Sequence, residues 1–534
     1  MNKVTGMAKS SARGGFKMFL GVAISSVITA VSVIFVMNLL DTSGDFGLVG
    51  IALIFPSILS LFKDWGINSG MVKYLAQYNS EKDENGVQNV LVAGLVFELI
   101  TGSLLTLLCY FMAGFLATSI FEIPEAQIFI EFASLTIIAD SLLKISQSSF
   151  LGLERLEFHS LTQILNAVIR ATLAPLLVWL NFGVLGAIQG QIVGQLASGV
   201  VGLLIFYVIF LRRPATKSLD LNLDVFGTIK HMLKYSIPLS VSVVASGFLP
   251  HYYNTLLRKS VVLASENAYE IAMGNYNAAS GNFAVIITFF TVPLSAVLFP
   301  AFSKLKADRD KKPLQVVFQS SVKYSALLAV PVTIMVMVLA EPLVFALVKT
   351  SYADTPLYLT LYSIIFLYVG IGKLSVPSFL NGQGKTNITM KMALLTLALG
   401  LLLSYIFIIP FGVIGLIITN ITCGLPSMIY GIRYVRKNYG AAIDYVSSAK
   451  IFLASCVAAV VTYLLLFVMQ SSYWTELIVG GVCFLSVYLV TAPLIKAVDK
   501  KDVHSLREML SGLGPFSYIF NIPLQVIEKL SDVF

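Results

Sequence analysis

The sequence predicts an all-α polytopic membrane protein of about fourteen transmembrane helices, built as two parallel six-helix repeats with two helices appended. Three observations predict it. The chain is 57% hydrophobic and 12% charged over 534 residues, where soluble proteins carry about a quarter charged residues. Apolar runs of about 20 residues, enough to cross bilayer hydrocarbon as helix, recur from end to end. Finally, "KISQSSFL" from Lys144 and "KLSVPSFL" from Lys373 share K-[IL]-S-x-x-S-F-L, and "FGVLGAI" from Phe182 matches "FGVIGLI" from Phe411, both at a spacing of 229 residues. A looser echo at 227 residues links "GLVGIALIFPSILSLF" from Gly47 to "GNYNAASGNFAVIITFF" from Gly274.

The first span, 18–40, follows the basic stretch "MNKVTGMAKSSARGGFK". It is longer than a signal-peptide core and lacks a small-residue cleavage site, so it reads as uncleaved. Turn residues and charges then delimit spans at 46–70, 88–113, 126–150, 160–181, 184–211 and 232–256. The series continues at 275–300, 320–347, 357–380, 389–410, 413–433, 450–470 and 475–495. "NFG" at 181–183 and "PFG" at 410–412 are so short that they predict tight turns between antiparallel neighbours.

Lysine and arginine on short loops stay on the cytoplasmic side. With the N-terminus inside, only Arg258, Lys259 and Lys349 of the 36 fall in external loops, and Lys63, Lys144, Arg170 and Lys373 lie within spans. That leaves 36 − 3 − 4 = 29 inside, which predicts a cell-membrane protein with both termini cytoplasmic. The net charge of +8 is therefore topological, and its spread over successive loops excludes a nucleic-acid surface.

The repeat divides the chain into a six-helix lobe at 1–215, a second at 216–440, two further spans in 441–496 and a tail at 497–534. The tail is charged and then aromatic ("PFSYIFNIPL"), the pattern of an interfacial helix. Six spans per repeat give the halves the same orientation, with a pseudo-two-fold axis along the membrane normal. Transporters built this way bind substrate between the halves and rock one against the other.

Covalent chemistry finds no support. There is no P-loop, the four histidines have no zinc spacing, and external loops are short. Cys109, Cys423, Cys456 and Cys483 all fall in apolar runs without metal-ligand spacing. The chain reads as a non-enzyme without a cofactor. "NIT" at 387–389 has the glycosylation pattern but falls in an expected cytoplasmic loop.

Ionisable groups inside spans cost about 2.5–3.5 kcal/mol each and face a partner or a wet cavity. Arg170 lies near the middle of span five and Glu98 near the middle of span three. One reading pairs them; the other makes Arg170 a cavity cation whose planar donors grip phosphate. Asp140 and Lys144, four apart on span four, can meet on one helical face, and Gln147 and Ser148 extend that polar stripe. Lys373, the repeat-mate of Lys144, has Val369 in place of the acidic neighbour. Both lysines either snorkel to the headgroups or flank a cavity mouth. Asp64 beside Lys63 satisfies a neighbouring helix or closes a gate, and His251 after Pro250 faces a cavity or the outer interface. Gly186, Gly190, Gly194, Ser198 and Gly202 have the spacing of close helix packing, among Gln189, Gln191 and Gln195 that suit sugar hydroxyls.

Several stretches resemble the polysaccharide-type lipid-linked oligosaccharide flippases of the multidrug/oligosaccharidyl-lipid/polysaccharide exporter superfamily. They are "AMGNYNAAS" at 272–280, "VPLSAVLFPAFSKLKAD" at 292–308, "FKDWGINSGMVKYLAQY" at 62–78, "LKYSIPLSVS" at 233–242 and "SFLGLERLEFHS" at 149–160. The resemblance implies movement of undecaprenyl- or dolichyl-linked sugars to the outer leaflet for surface glycan assembly. The implied partners are the polyprenyl-linked sugar, membrane lipid, and a glycan polymerase or glycosyltransferases. Family members often carry an acidic residue in span seven where "PHYYNTLL" (250–257) has none. The alternatives are a cation-coupled multidrug exporter, whose usual carboxylate in spans one or seven is missing here, and a non-transporting scaffold for glycan assembly.

Overall fold

A computed structural model describes residues 2–208, 224–263, 268–289, 291, 302, 311–469 and 471–498. Among these residues there is no strand. Nine helices occupy the first part: α1 (Asn2–Leu39), α2 (Ser43–Lys63), α3 (Ile67–Glu81), α4 (Glu84–Phe115), α5 (Ala126–Gly152), α6 (Leu156–Leu177), α7 (Gly183–Phe206), α8 (Val225–Leu257) and α9 (Ala268–Asn277). Seven follow: α10 (Lys311–Val338), α11 (Ala340–Leu347), α12 (Thr355–Leu367), α13 (Ser375–Gly382), α14 (Thr386–Tyr439), α15 (Tyr445–Met469) and α16 (Tyr473–Leu494). The tail from 499 onward and the basic segments 212–217 and 303–310 lie outside the described residues.

Among the described residues, eight helical stretches are long and apolar enough to cross a bilayer. A ninth is the bent pair Thr355–Ile371 and Ser375–Gly382, which turns by 48°. Two of the eight, Leu156–Phe206 and Thr386–Tyr439, fold back on themselves and cross twice. The more polar α5 and α8 are also long enough to cross a bilayer.

The two fold-backs show how the repeat is built. Gly183 closes the first at φ +53°, ψ −130°, and its repeat-mate Gly412 closes the second at φ +57°, ψ −131°. Such angles are open to glycine and strained for any residue with a Cβ. Beyond each turn the arms pack antiparallel. A Cβ on Gly186 would meet Leu177, and one on Gly194 would meet Asn166 Oδ1. In α14, Gly415 lies against the Phe407 carbonyl, and Thr396 Oγ1 donates to Ser427 Oγ at 2.8 Å.

By packing, the chain divides into Met1–Gly274 and Asn275–Phe534. Each unit has its own core, and the K-[IL]-S-x-x-S-F-L motif supplies the centre of both. In the first unit, fully buried Phe150 packs with Ile67, Met71, Leu75 and Val90. Its mate Phe379 is equally buried, with ring centroids 5.2 Å from Phe302, 5.3 Å from Phe318 and 5.0 Å from Tyr439. Ser146 and Ser375, also mates, are both fully buried. Within the first unit α8 packs against α2, α3 and α4. There α2 also crosses α9 with no room for a side chain: a Cβ on Gly47 would overlap the Glu270 carbonyl, and one on Gly274 the Ser43 carbonyl. Ser43 and Glu270, like Gly47 and Gly274, are 227 residues apart. The echo in the sequence is thus two matching edges of one close crossing.

Arg258, after α8, reaches Glu122 in the turn before α5 at 3.2 Å. Two loops that the span count assigns to one side are thereby joined on one side.

Candidate functional site

The charged residues of the first unit converge where α2 breaks into α3. Trp65 (φ +44°) and Gly66 (φ +82°) are both left-handed, and they turn the chain between the two helices. A Cβ on Gly66 would lie 2.7 Å from the Ser236 carbonyl of α8, so glycine serves both the turn and the approach of α8. Asp64 caps the new helix: its Oδ1 accepts from the Asn68 N–H at 2.8 Å. Ending α2 here points the Lys63 side chain inward from its last turn, where the helix dipole also favours a cation.

Lys63 is 2% exposed. Its ammonium donates to Asp140 Oδ2 at 2.8 Å, Ser141 Oγ at 3.2 Å and the Ile137 carbonyl at 3.4 Å. Glu98 Oε2 lies 4.0 Å away. Glu98, fully buried in α4, accepts from Asn68 Nδ2 through Oε1 at 2.6 Å, and Ser148 Oγ donates to Asn68 Oδ1 at 3.0 Å. One polar network therefore runs through α2, α3, α4 and α5.

This geometry corrects two expectations. Glu98 does not pair with Arg170, because Asn68 and Lys63 from α3 and α2 already occupy its surroundings. Asp140 does not pair with Lys144 either. The i, i+4 spacing permits that contact, but the buried ammonium of Lys63 takes the carboxylate, and Lys144 is exposed. Lys63 itself, with Asn68 and Ser141, was not singled out from sequence. The signal was present: a lysine within one span and acids within two others must find each other when the helices are neighbours.

Arg170 is half-buried on α6 and makes no hydrogen bond or ion pair among the described residues. Its Cβ lies 3.3 Å from the Cβ position of Gly194, on the face where α6 meets α7. Asn166, which meets the same Gly194 position, has a buried Oδ1 without a hydrogen-bond partner, as do Gln163 Oε1 on α6 and Gln195 Oε1 and Ser198 Oγ on α7. Among the described residues the guanidinium is thus a donor without an acceptor, on a face that also holds an acceptor without a donor.

In the second unit, Lys373 lies in the break between α12 and α13, just after Gly372 (φ +96°). Its ammonium donates to the Ile365 carbonyl at 3.1 Å and stands 5.7 Å from the Phe366 ring centroid. The repeat-mates therefore differ: Lys144 projects from an unbroken helix, whereas Lys373 is tied back to its own. His251 is half-buried in α8, where Pro250 is accommodated without breaking the helix, and its carbonyl accepts from Thr255 Oγ1 at 3.0 Å.

Repeated apolar spans with a buried ion network inside them define a multi-pass membrane protein, and its fold is that of known membrane transporters. Among solved structures the chain is similar to "Lipid II flippase MurJ, inward closed conformation" at 16% identity and TM-score 0.72, covering 89% of this chain and 98% of that one. It is also similar to an inward-facing multidrug resistance MATE family transporter at 19% identity and TM-score 0.62, covering 81% and 98%. The family model described as polysaccharide biosynthesis protein matches residues 36–356, and that of the lipid II flippase MurJ matches 260–488. The chain belongs to the polysaccharide biosynthesis protein family. A curated relative, the uncharacterized membrane protein MJ1068 of Methanocaldococcus jannaschii, is 21% identical over 74% of this chain and 78% of its own. The probable lipid II flippase MurJ of Synechocystis is 27% identical over 38% of this chain and 37% of its own.

Proposed function

We propose that the protein is a flippase that moves a polyprenyl-pyrophosphate-linked oligosaccharide from the cytoplasmic to the outer leaflet by alternating access, with both termini cytoplasmic. Membership of the polysaccharide biosynthesis family supports the class of cargo. The observation that carries the reading is Arg170, a guanidinium unpaired among the described residues, on the α6–α7 face where Asn166 Oδ1 also lacks a partner. A guanidinium binds phosphate oxygens bidentately, and carboxamide oxygens accept from sugar hydroxyls. Lys144, exposed on α5, is the cation available to capture the incoming pyrophosphate. Lys373 is the weaker candidate because a carbonyl already holds its ammonium. The same fold admits cation-coupled drug efflux, as its likeness to a MATE transporter indicates. On this reading the chain is a transporter and not an enzyme, and glycan polymerases or glycosyltransferases would act before and after it.

The test is movement of fluorescent lipid-linked sugar between leaflets of proteoliposomes. Wild type moves it, Arg170→Ala abolishes movement, and Arg170→Lys restores part. Absence of movement by wild type, with extrusion of cationic drugs instead, overturns the flippase reading. Unchanged movement by Arg170→Ala overturns the site.

A further inference from the structure

The network around Lys63 carries more negative than positive charge. Lys63 is its one buried cation, and Asp140, Glu98 and the neighbouring Asp64 are its carboxylates. Asp64 is held by the Asn68 N–H, and Asp140 by the 2.8 Å contact from Lys63, with its side chain 24% exposed. Glu98 differs from both. It is fully buried, and its Oε2, directed toward Lys63 at 4.0 Å, accepts no hydrogen bond. An ionised oxygen without a donor, away from water, is the arrangement proteins avoid by taking up a proton.

The helices that pack on α4 supply nothing to change that balance. From α2 come Lys63 and Asp64, from α3 the neutral Asn68, and from α5 Asp140, with Lys144 one turn on and exposed. From α8, Ser236 and Ser240 meet Gly66 and Gly70, and His231 lies against the Tyr74 ring at 4.9 Å.

We propose that Glu98 is a proton-binding site of this transporter: its carboxyl holds a proton in the conformation described, with Asp140 ionised and paired to Lys63. When the network rearranges so that Lys63 moves from Asp140 to Glu98, the Oε2–H bond breaks. The electron pair stays on the carboxylate and the proton passes to water. Asp140, already partly exposed, then becomes the group that can take up a proton and reset the network. A metal ion does not suit the position, because the Lys63 ammonium already fills the cationic role 4.0 Å from Oε2. The binding of the proton stands alone; its coupling to transport rests on the transporter reading.

Infrared pH-difference spectroscopy of the purified full-length protein tests the binding. A protonated-carboxyl C=O band that shifts in deuterium oxide is expected at neutral pH in wild type. It is expected to be lost in Glu98→Gln, which keeps the acceptor for Asn68 and so keeps the fold. Should that variant fail to fold, Glu98→Asp is expected to displace the band. No band in wild type, a band unchanged in Glu98→Gln or Glu98→Asp, or sodium-dependent thermal stabilisation that Glu98→Gln alone removes would each overturn the proposal. In proteoliposomes, an imposed pH gradient should change wild-type flux and leave Glu98→Gln flux indifferent. Flux equally sensitive in both overturns the coupling. A correct band without lipid movement leaves the proton site standing and removes the flippase reading.

Discussion

Replacing Lys63 by methionine tests the network directly. The substitution keeps the bulk of the side chain and removes the ammonium that, among the described residues, reaches both Asp140 and Glu98. At an effective dielectric of about 20, the 2.8 Å contact with ionised Asp140 corresponds to a gross attraction of roughly 6 kcal/mol. Desolvation of the ammonium offsets most of this, and what the variant exposes is mainly the cost of orphaned carboxylates. Removing one member of a buried pair costs about 3–5 kcal/mol, so Lys63→Met should lose about that much. Buried Cys109 and Cys423 allow unfolding to be followed with a thiol-reactive dye during denaturant titration. Asp140→Asn should also be costly. With Glu98 protonated as proposed, Glu98→Gln exchanges one neutral group for another and should stay within about 1 kcal/mol. The exposed pair Arg155–Glu157, at 3.8 Å, is the control, worth about 0–1 kcal/mol. A loss below about 1 kcal/mol for Lys63→Met, or no coupling between Lys63→Met and Asp140→Asn in a double-mutant cycle, would refute the reasoning.

Gly183→Ala should cost about 1–3 kcal/mol through backbone strain alone, visible as a lower melting temperature, and Gly412→Ala, buried at nearly the same angles, should cost at least as much. Gly66→Ala adds a clash with Ser236 to a left-handed φ; it should destabilise more than Gly183→Ala, whose new Cβ meets open space. Asp444 caps α15, accepting from Ser447 Oγ at 2.5 Å and from the Val446 and Ser447 N–H groups at 3.1 Å. The Ser447 hydroxyl chiefly holds its carboxyl below the usual range. A depressed folded pKa gives stability that is present above the ordinary carboxylate value of about 3.9 and lost as pH falls through the lower folded value. Asp444→Ala should therefore cost about 1 kcal/mol at neutral pH, with the gap in melting temperature closing in acid.

The fold was legible because a membrane leaves the backbone few options, so apolar run length counts spans almost directly. The repeat was legible at the positions that tolerate no substitute. Gly183 and Gly412 need angles only glycine enjoys, and Phe150 and Phe379 fill the centres of their units' cores. Elsewhere the halves were free to drift. Lys144 and Lys373 show it: Ser146, Ser149, Ser375 and both phenylalanines of the two motif copies are buried, while the lysines occupy different surroundings.

The site was less legible, for a reason of geometry. Sequence spacing ranks partners along one helix, so Asp140 was matched with Lys144 four residues on. In a bundle the competition is across helices, and a buried donor wins over an exposed one because only the buried donor has lost its water. Lys63 is 3% exposed at its side chain, so it needed a carboxylate; Lys144 did not. The same rule explains Glu98, placed near Lys63 rather than Arg170 by the packing of α4 on α2. What remains after these pairings is Arg170, a guanidinium within a transmembrane helix with no acceptor among the described residues. On the proposed flippase reading, a group that costs this much to hold in a membrane awaits a ligand from outside the protein, and an anion gripped by the planar fork is the one its chemistry suits.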